Sequence, residues 1–104
     1  MTCTALGFRN YCVLELLYGC GLRVSEVCSL QINDIDFTQG YIRICGKGDK
    51  ERIVPFYNVL GLNLKNYIQN IRPFWVKDLN STYVFVNQRG TPLTSRGVQY
   101  IVNK

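Results

Sequence analysis

The sequence predicts an α+β fold that is mostly helical and carries a small three-stranded antiparallel sheet. Apolar residues recur at helical spacing in four stretches of the chain. Two β-rich runs flank a glycine-bearing connection, and a third β-rich run follows further along. The chain has 104 residues, so these elements fit one small domain.

The first half of the chain is predicted to open with two helices. The first spans residues 6–18, and Gly19 and Gly21 end it, as glycines do at helix C-termini. The second spans residues 23–31, and the polar turn residues 32–36 lead out of it. The predicted buried faces comprise Val13, Leu16, Leu17 and Cys20 in the first helix and Val24, Val27 and Cys28 in the second.

A β-hairpin is predicted next along the chain. Residues 41–45 and 51–55 are its strands, and a glycine-bearing loop of about five residues joins them. Pro55 ends the second strand because proline cannot donate a hydrogen bond to a neighbouring strand. Residues 83–86 are predicted as the third strand of the sheet.

The second half is predicted to contain two more helices, at residues 58–71 and from Thr94 or Ser95 onward. Phe74, Trp75 and Tyr100 are predicted to be structural core residues rather than base-stacking or nucleophilic groups. The last helix has no glycine or proline stop, and both chain ends are abrupt. This pattern fits either part of a longer domain or a helix that frays at its terminus.

The charge balance and the cysteines limit the possible partners. Twelve Lys and Arg against seven Asp and Glu give a net charge of +5, which favours nucleic acid or an anionic membrane surface. No signal peptide or apolar run of membrane-spanning length is present. The five cysteines form no C-x-x-C pair, and without histidine no ordinary zinc site can form. We therefore expect a reduced, cytoplasmic protein without metal or cofactor.

Two short motifs suggest phosphate binding. Arg23 follows Gly-Leu and opens the second helix, where free N–H groups and the helix dipole favour an anion. Its guanidinium can bind two phosphate oxygens, and Glu26, one turn later, can hold that guanidinium in place. The alternative is a surface arginine paired with Glu26 or Asp34, with Glu26 as an ordinary first-turn acid.

The second motif is the hairpin loop. Gly46 and Gly48 flank Lys47, so the backbone can approach a ligand closely while the lysine contacts a phosphate or donates a proton. Arg43, Lys50 and Arg52 can add contacts to a nucleic-acid backbone. The alternatives are a solvated turn for the loop and solvated charges for the other basic residues, which also include Arg72, Lys77, Arg89 and Arg96.

Read together, these motifs resemble the catalytic domain of the tyrosine recombinases, in their Xer-like form. Residues 16–26, Leu-Leu-Tyr-Gly-Cys-Gly-Leu-Arg-Val-Ser-Glu, resemble the first arginine box of that family. Residues 30–36 are similar to the L-x-x-x-D-I-D run that follows it, and residues 46–55 are similar to the family's β-hairpin. The resemblance extends from about residue 6 to residue 104. It identifies the chain as part of a tyrosine-recombinase catalytic domain.

The resemblance implies DNA cleavage and rejoining through a 3′-phosphotyrosyl intermediate, without metal or external energy. Arg23 matches the first catalytic arginine, Lys47 matches the hairpin lysine that acts as general acid, and Glu26 matches a supporting acid. The family's His-x-x-Arg box and tyrosine nucleophile lie after the segment matched here. Tyr100 precedes that box and does not match the nucleophile.

These observations lead to the following expectations. Residues 1–104 are part of a catalytic domain that binds double-stranded DNA, acts with other recombinase protomers, self-associates through exposed apolar surface, and by itself does not cleave. An alternative is a non-catalytic DNA-binding or regulatory remnant of a decayed or split recombinase gene. A third is that another chain supplies the remaining helices.

Overall fold

The computed structural model describes residues 4–46 and 50–103, and these form helices around a small sheet. In chain order the elements are α1 (Ala5–Leu14), a π-helical turn (Glu15–Gly19), α2 (Val24–Ser29), a 3₁₀ turn (Ile32–Asp34), β1 (Ile35–Asp36), β2 (Tyr41–Cys45), β3 (Glu51–Pro55), α3 (Asn58–Asn70), α4 (Arg72–Trp75) and α5 (Ser95–Val102). The predicted fold class is confirmed, and the four long helical patterns correspond to α1, α2, α3 and α5.

The hairpin forms with its two strands as predicted. β2 and β3 pair antiparallel, with Ile42 opposite Val54 and Ile44 opposite Arg52. Ile42, Ile44 and Val54 are buried, so this face of the hairpin packs against the core. Arg52 lies on the same face at the end nearest the loop, because paired residues and alternate residues share one face of a sheet.

The third strand of the sheet is β1, so the prediction that residues 83–86 provide it was wrong. The strand order is β1-β2-β3, and Ile35 pairs with Ile42. Residues 32–36 were predicted as a polar turn because of their two aspartates. Two residues are too few to show the alternation of a strand, although Ile35 is buried and Asp36 is only partly so. Asp36 also closes the turn to β2, since its carbonyl accepts from the Gly40 N–H at 2.8 Å.

Residues 83–86 instead run extended through the core, with only isolated bridges to Gln31 and Pro92. Val84, Phe85 and Val86 are fully buried, so their backbone groups need partners away from water. The Val84 N–H donates to the Leu30 carbonyl at 3.0 Å, and the Phe85 carbonyl accepts from Leu93 at 2.9 Å. Side chains satisfy other groups of the run, which is why it does not require a sheet.

Two buried arginines provide some of the hydrogen bonds to the backbone of this run. Arg72 was predicted to be a solvated charge, but it is 8% exposed and donates to the carbonyls of Ser81 and Tyr83, both at 2.7 Å. Arg9 is 6% exposed, donates to the Val86 carbonyl at 3.3 Å and lies 5.9 Å from the Trp75 ring centre. Arg9 therefore stabilises the run by a charge-assisted hydrogen bond to a buried carbonyl, and Arg72 by charge-assisted bonds to the partly buried carbonyls at the start of the run and just before it.

The core predictions for the aromatic residues were partly wrong. Trp75 is half-buried against the core, but Phe74 is 86% exposed and Tyr100 is 64% exposed. In the short helix α4 the adjacent positions 74 and 75 lie on different sides, so only one of them can contact the core. In α5 the buried positions are Val98 and Ile101, and Tyr100 lies away from them.

Tyr67 connects α3 to the extended run. Its ring is fully buried, stacks on Phe85 at 5.4 Å and meets Trp75 edge-on at 6.4 Å. Its hydroxyl oxygen accepts from the Val86 N–H at 3.2 Å. Burial raises the pKa of Tyr67 to about 12, and the Val86 N–H opposes this shift by favouring the phenolate.

We expect Tyr67→Phe to lower the free energy of unfolding by about 1–3 kcal/mol at neutral pH, because it leaves the Val86 N–H without its partner. Since folding raises the pKa of Tyr67, its stabilisation is present below about pH 10 and is lost as the pH rises toward 12. Between pH 9 and pH 11, the free energy of unfolding of the wild type should therefore fall by about 1 kcal/mol more than that of Tyr67→Phe.

Urea unfolding at the two pH values measures this difference. Tyr57→Phe is the matched control because Tyr57 is 83% exposed. An alkaline loss of stability as large in Tyr67→Phe as in wild type would contradict the assignment to Tyr67.

Candidate active site

Arg23 lies immediately before α2, where the chain leaves the π-helical turn. Gly21 has a φ of 71°, a backbone conformation that glycine adopts without strain. Leu22 is buried, which fixes the chain just before Arg23. The Arg23 side chain is exposed, and among the described residues its guanidinium makes no hydrogen bond or ion pair. The guanidinium is thus positioned at the surface with its donors available.

Glu26 makes two kinds of contact at the start of α2. Its Oε1 accepts from the backbone N–H of Arg23 at 2.8 Å, so this N–H is not free for a ligand. Both of its oxygens also accept from Arg52, Oε2 from Nη1 at 2.8 Å and Oε1 from Nη2 at 3.1 Å. The hydrogen bonds of the carboxylate therefore go to the guanidinium of Arg52, whereas the guanidinium of Arg23 acts on Glu26 only through its charge.

The Glu26–Arg52 pair has an electrostatic consequence. The hydrogen bonds from Arg52 are the main cause that lowers the pKa of Glu26 below its ordinary value, and the backbone N–H of Arg23 adds to this effect. The same pairing raises the pKa of Arg52. The side chain of Glu26 is 14% exposed, so it is shielded from much of the solvent. The carboxylate remains charged there because its pKa is lowered.

The other predicted site residues lie along the hairpin. Arg43 is on the outer face of β2 and lies 3.8 Å from the Glu51 carboxylate in a half-exposed pair. The Lys50 carbonyl accepts from the Gly46 N–H at 2.7 Å, which closes the hairpin where the loop begins, and the Lys50 side chain is exposed. Lys47 lies outside the described residues, so its predicted role as general acid stays a prediction.

The structure brings α2 and the hairpin together around a polar cleft of about 250 Å³. The residues that line this cleft come from α2, the following turn and β2, and include Glu26, Ser29, Asp34, Arg43 and Cys45. Next to this cleft, Arg52 of β3 binds Glu26 of α2 across 26 residues of sequence. The start of α2 and the base of the loop that carries Lys47 therefore belong to one local unit.

Sequence reasoning missed the partnership of Arg52 with Glu26. Alternation along residues 52–54 places Arg52 on the same face as the apolar Val54, which was the available indication that Arg52 points toward the protein. The basic residues of the hairpin also suggested contacts with nucleic acid. The position of Arg52 in the strand indicated which way its side chain points, but not which residue it would bind.

Comparison with known proteins establishes the family. The chain belongs to the phage integrase family, whose sequence profile matches residues 1–104. It is 45% identical over 104 residues to the tyrosine recombinase XerC of Bacillus pumilus, and 46% identical over 103 residues to that of Oceanobacillus iheyensis. The alignments cover 97% of this chain and 34% of each relative, so the chain spans about a third of these relatives' length.

Solved structures agree with this assignment. The crystal structure of XerA recombinase superposes with a TM-score of 0.79 at 29% identity, covering 94% of this chain and 35% of that one. XerH site-specific recombinase, bound to a palindromic difH substrate after cleavage, gives a TM-score of 0.74 at 29% identity, covering 99% and 30%. The resemblance inferred from the arginine box and the hairpin is confirmed.

None of the helices in the described part of the chain has the length and apolar character needed to span a membrane.

We expect Glu26→Gln to destabilise the protein at neutral pH more than Glu51→Gln, because Glu26 accepts three hydrogen bonds whereas Glu51 makes only a loose pair with Arg43. Folding lowers the pKa of Glu26, so its stabilisation is present above the ordinary glutamate pKa and is lost as the pH falls through the folded value. Urea unfolding between neutral and acidic pH should show the difference between the variants disappearing in acid. A difference that stays constant with pH would contradict the ion pair as its source.

Proposed function

We propose that residues 1–104 form the phosphate-binding part of a site-specific DNA recombinase. In this proposal Arg23 binds the scissile phosphate of double-stranded DNA, and Lys47 donates a proton to the leaving 5′-hydroxyl. Arg43 and Lys50 contact the neighbouring backbone, as does the hairpin as a whole. The carrying observation is the exposed side chain of Arg23 at the start of α2, a helix that Glu26 joins to Arg52 of the hairpin strand following the Lys47 loop.

Physical chemistry supports these roles. A guanidinium can donate two parallel hydrogen bonds to a phosphate and stabilise the charge that develops during transfer. The net charge of +5 favours a polyanion as partner. XerH, which has the same fold at 29% identity, was solved with a DNA substrate. A reduced, cytoplasmic environment, association with other recombinase protomers and self-association are part of the same proposal.

We expect the protein to bind short duplex DNA of arbitrary sequence at low salt, with an affinity that falls as salt rises. Arg23→Ala should weaken binding about tenfold, because one charge-assisted phosphate contact is lost. The log–log slope against salt should become shallower by about 0.9. Fluorescence anisotropy at several salt concentrations measures both quantities.

Lys65→Ala is the matched control for Arg23→Ala, since it removes one exposed positive charge from α3. Equal effects of the two substitutions would mean that Arg23 acts only through net charge. Binding that does not change with salt, or no binding at low salt, would contradict the proposed function.

We also propose that residues 1–104 bind DNA without cleaving it, because the sequence contains no histidine and matches only the first recombinase motifs. A suicide substrate, which traps the covalent intermediate, should give no protein–DNA adduct with this polypeptide. A full-length tyrosine recombinase with its own site serves as the positive control. An adduct formed by this chain would overturn the proposal.

The alternative, a non-catalytic DNA-binding or regulatory protein, predicts the same binding and the same lack of adduct. Complementation separates the two. Mixing the chain with a segment that carries a His-x-x-Arg box and a tyrosine should restore cleavage if the chain is part of an enzyme, and this outcome also fits helices supplied by another chain. Failure to restore cleavage under conditions where the segment folds would favour the non-catalytic function.

A further inference from the structure

Glu26 carries a negative charge beside Arg23, the residue proposed to bind the phosphate. Glu26 lies in the first turn of α2 and accepts from the backbone N–H of Arg23 at 2.8 Å, so its negative charge is close to the residue that carries the guanidinium. A carboxylate bound to the Arg23 guanidinium would occupy the donors that a phosphate needs and would repel the phosphate. In the structure both oxygens of Glu26 accept from Arg52, and the guanidinium of Arg23 acts on the carboxylate through its charge without a hydrogen bond.

We propose that Arg52 is a positioning residue that holds Glu26 away from the guanidinium of Arg23, so that Arg23 stays available to a phosphate. This inference rests on the proposed function of Arg23. It replaces the expectation that Arg52 itself contacts DNA, because the donors of Arg52 are directed at Glu26 and its side chain shares the core-facing side of the hairpin with Val54.

The geometry of the pair fits this role. The Arg52 guanidinium meets the carboxylate with two bonds of 2.8 and 3.1 Å, a bidentate arrangement that fixes the orientation of both planar groups. The Arg23 N–H holds Oε1 from the other side at 2.8 Å. Three donors on two oxygens leave the carboxylate little capacity for a further guanidinium.

The pair also neutralises charge at the site. Arg52 and Arg23 are the two residues whose charge lowers the pKa of Glu26, so without Arg52 the carboxylate would be compensated by Arg23. A lysine at position 52 would neutralise the charge but cannot make the bidentate contact that fixes the carboxylate plane. The structure therefore predicts that Arg52 affects phosphate binding through Glu26 and not by its own contact.

A suppressor experiment on DNA binding tests this inference. Arg52→Met, which keeps the apolar stem, should weaken binding to a short duplex about tenfold, comparable to Arg23→Ala. Adding Glu26→Gln to Arg52→Met should restore affinity to within about twofold of wild type, because the amide has no charge with which to pair Arg23. Circular dichroism verifies that each variant is folded, and Arg52→Lys, expected to bind with intermediate affinity, replaces Arg52→Met if the latter does not fold.

Arg52→Met combined with Glu51→Gln is the matched control. It has the same net charge as the suppressor pair and removes a carboxylate from the same hairpin, but Glu51 pairs with Arg43 and not with Arg52. We expect this control to remain as weak as Arg52→Met alone. Equal restoration by both second substitutions, or restoration by neither, would overturn the inference.

A measurement without DNA separates failure of this inference from failure of the proposed function. NMR of the Arg23 guanidinium should show fast rotation about its Cζ–Nε bond in wild type and slowed rotation in Arg52→Met, where Glu26 becomes its partner. Adding Glu26→Gln should restore fast rotation. Unchanged rotation in Arg52→Met would refute the inference even if DNA binds, whereas the expected change without any DNA binding would refute only the proposed function.

Discussion

The buried extended run at residues 84–86 is the constraint on which the rest of the fold depends. Its three side chains are fully buried, but it has no continuous strand beside it, so each backbone group must find a separate partner. Arg9 from α1 and Tyr67 from α3 bind Val86, and Arg72 from α4 binds the carbonyl of Tyr83. The helices are therefore held in position by hydrogen bonds to one segment as well as by apolar packing.

The candidate site depends on a second connection, between α2 and the hairpin. The hairpin packs on the core through Ile42, Ile44 and Val54, whereas the described residues on either side of its loop are exposed. Arg52 lies at the loop end and binds Glu26, which joins the wall that carries Arg23 to the strand that leads from the loop. An ion pair suits this location because both groups retain some contact with water, which limits the cost of desolvation.

Much of the fold could be predicted because local patterns agreed with the final structure. The helical spacing of Val13 and Leu16 and the alternation of Ile42 and Ile44 each survive in the buried core. The errors occurred where tertiary contacts override local preference. The apolar run at 83–86 reads as a strand because periodicity cannot distinguish a strand from an isolated extended segment whose partners are side chains.

The sequence by itself determined the family, the helical and hairpin elements and the location of Arg23 before α2, since these follow from short-range patterns and motifs. Only the tertiary structure decided that Ile35 begins the sheet, that Arg72 is buried and that Glu26 hydrogen-bonds the guanidinium of Arg52 rather than that of Arg23. The physical reason is that a charged side chain has several possible partners within reach of its local sequence. Its actual partner depends on which distant element packs beside it, and spacing along the chain carries no information about that.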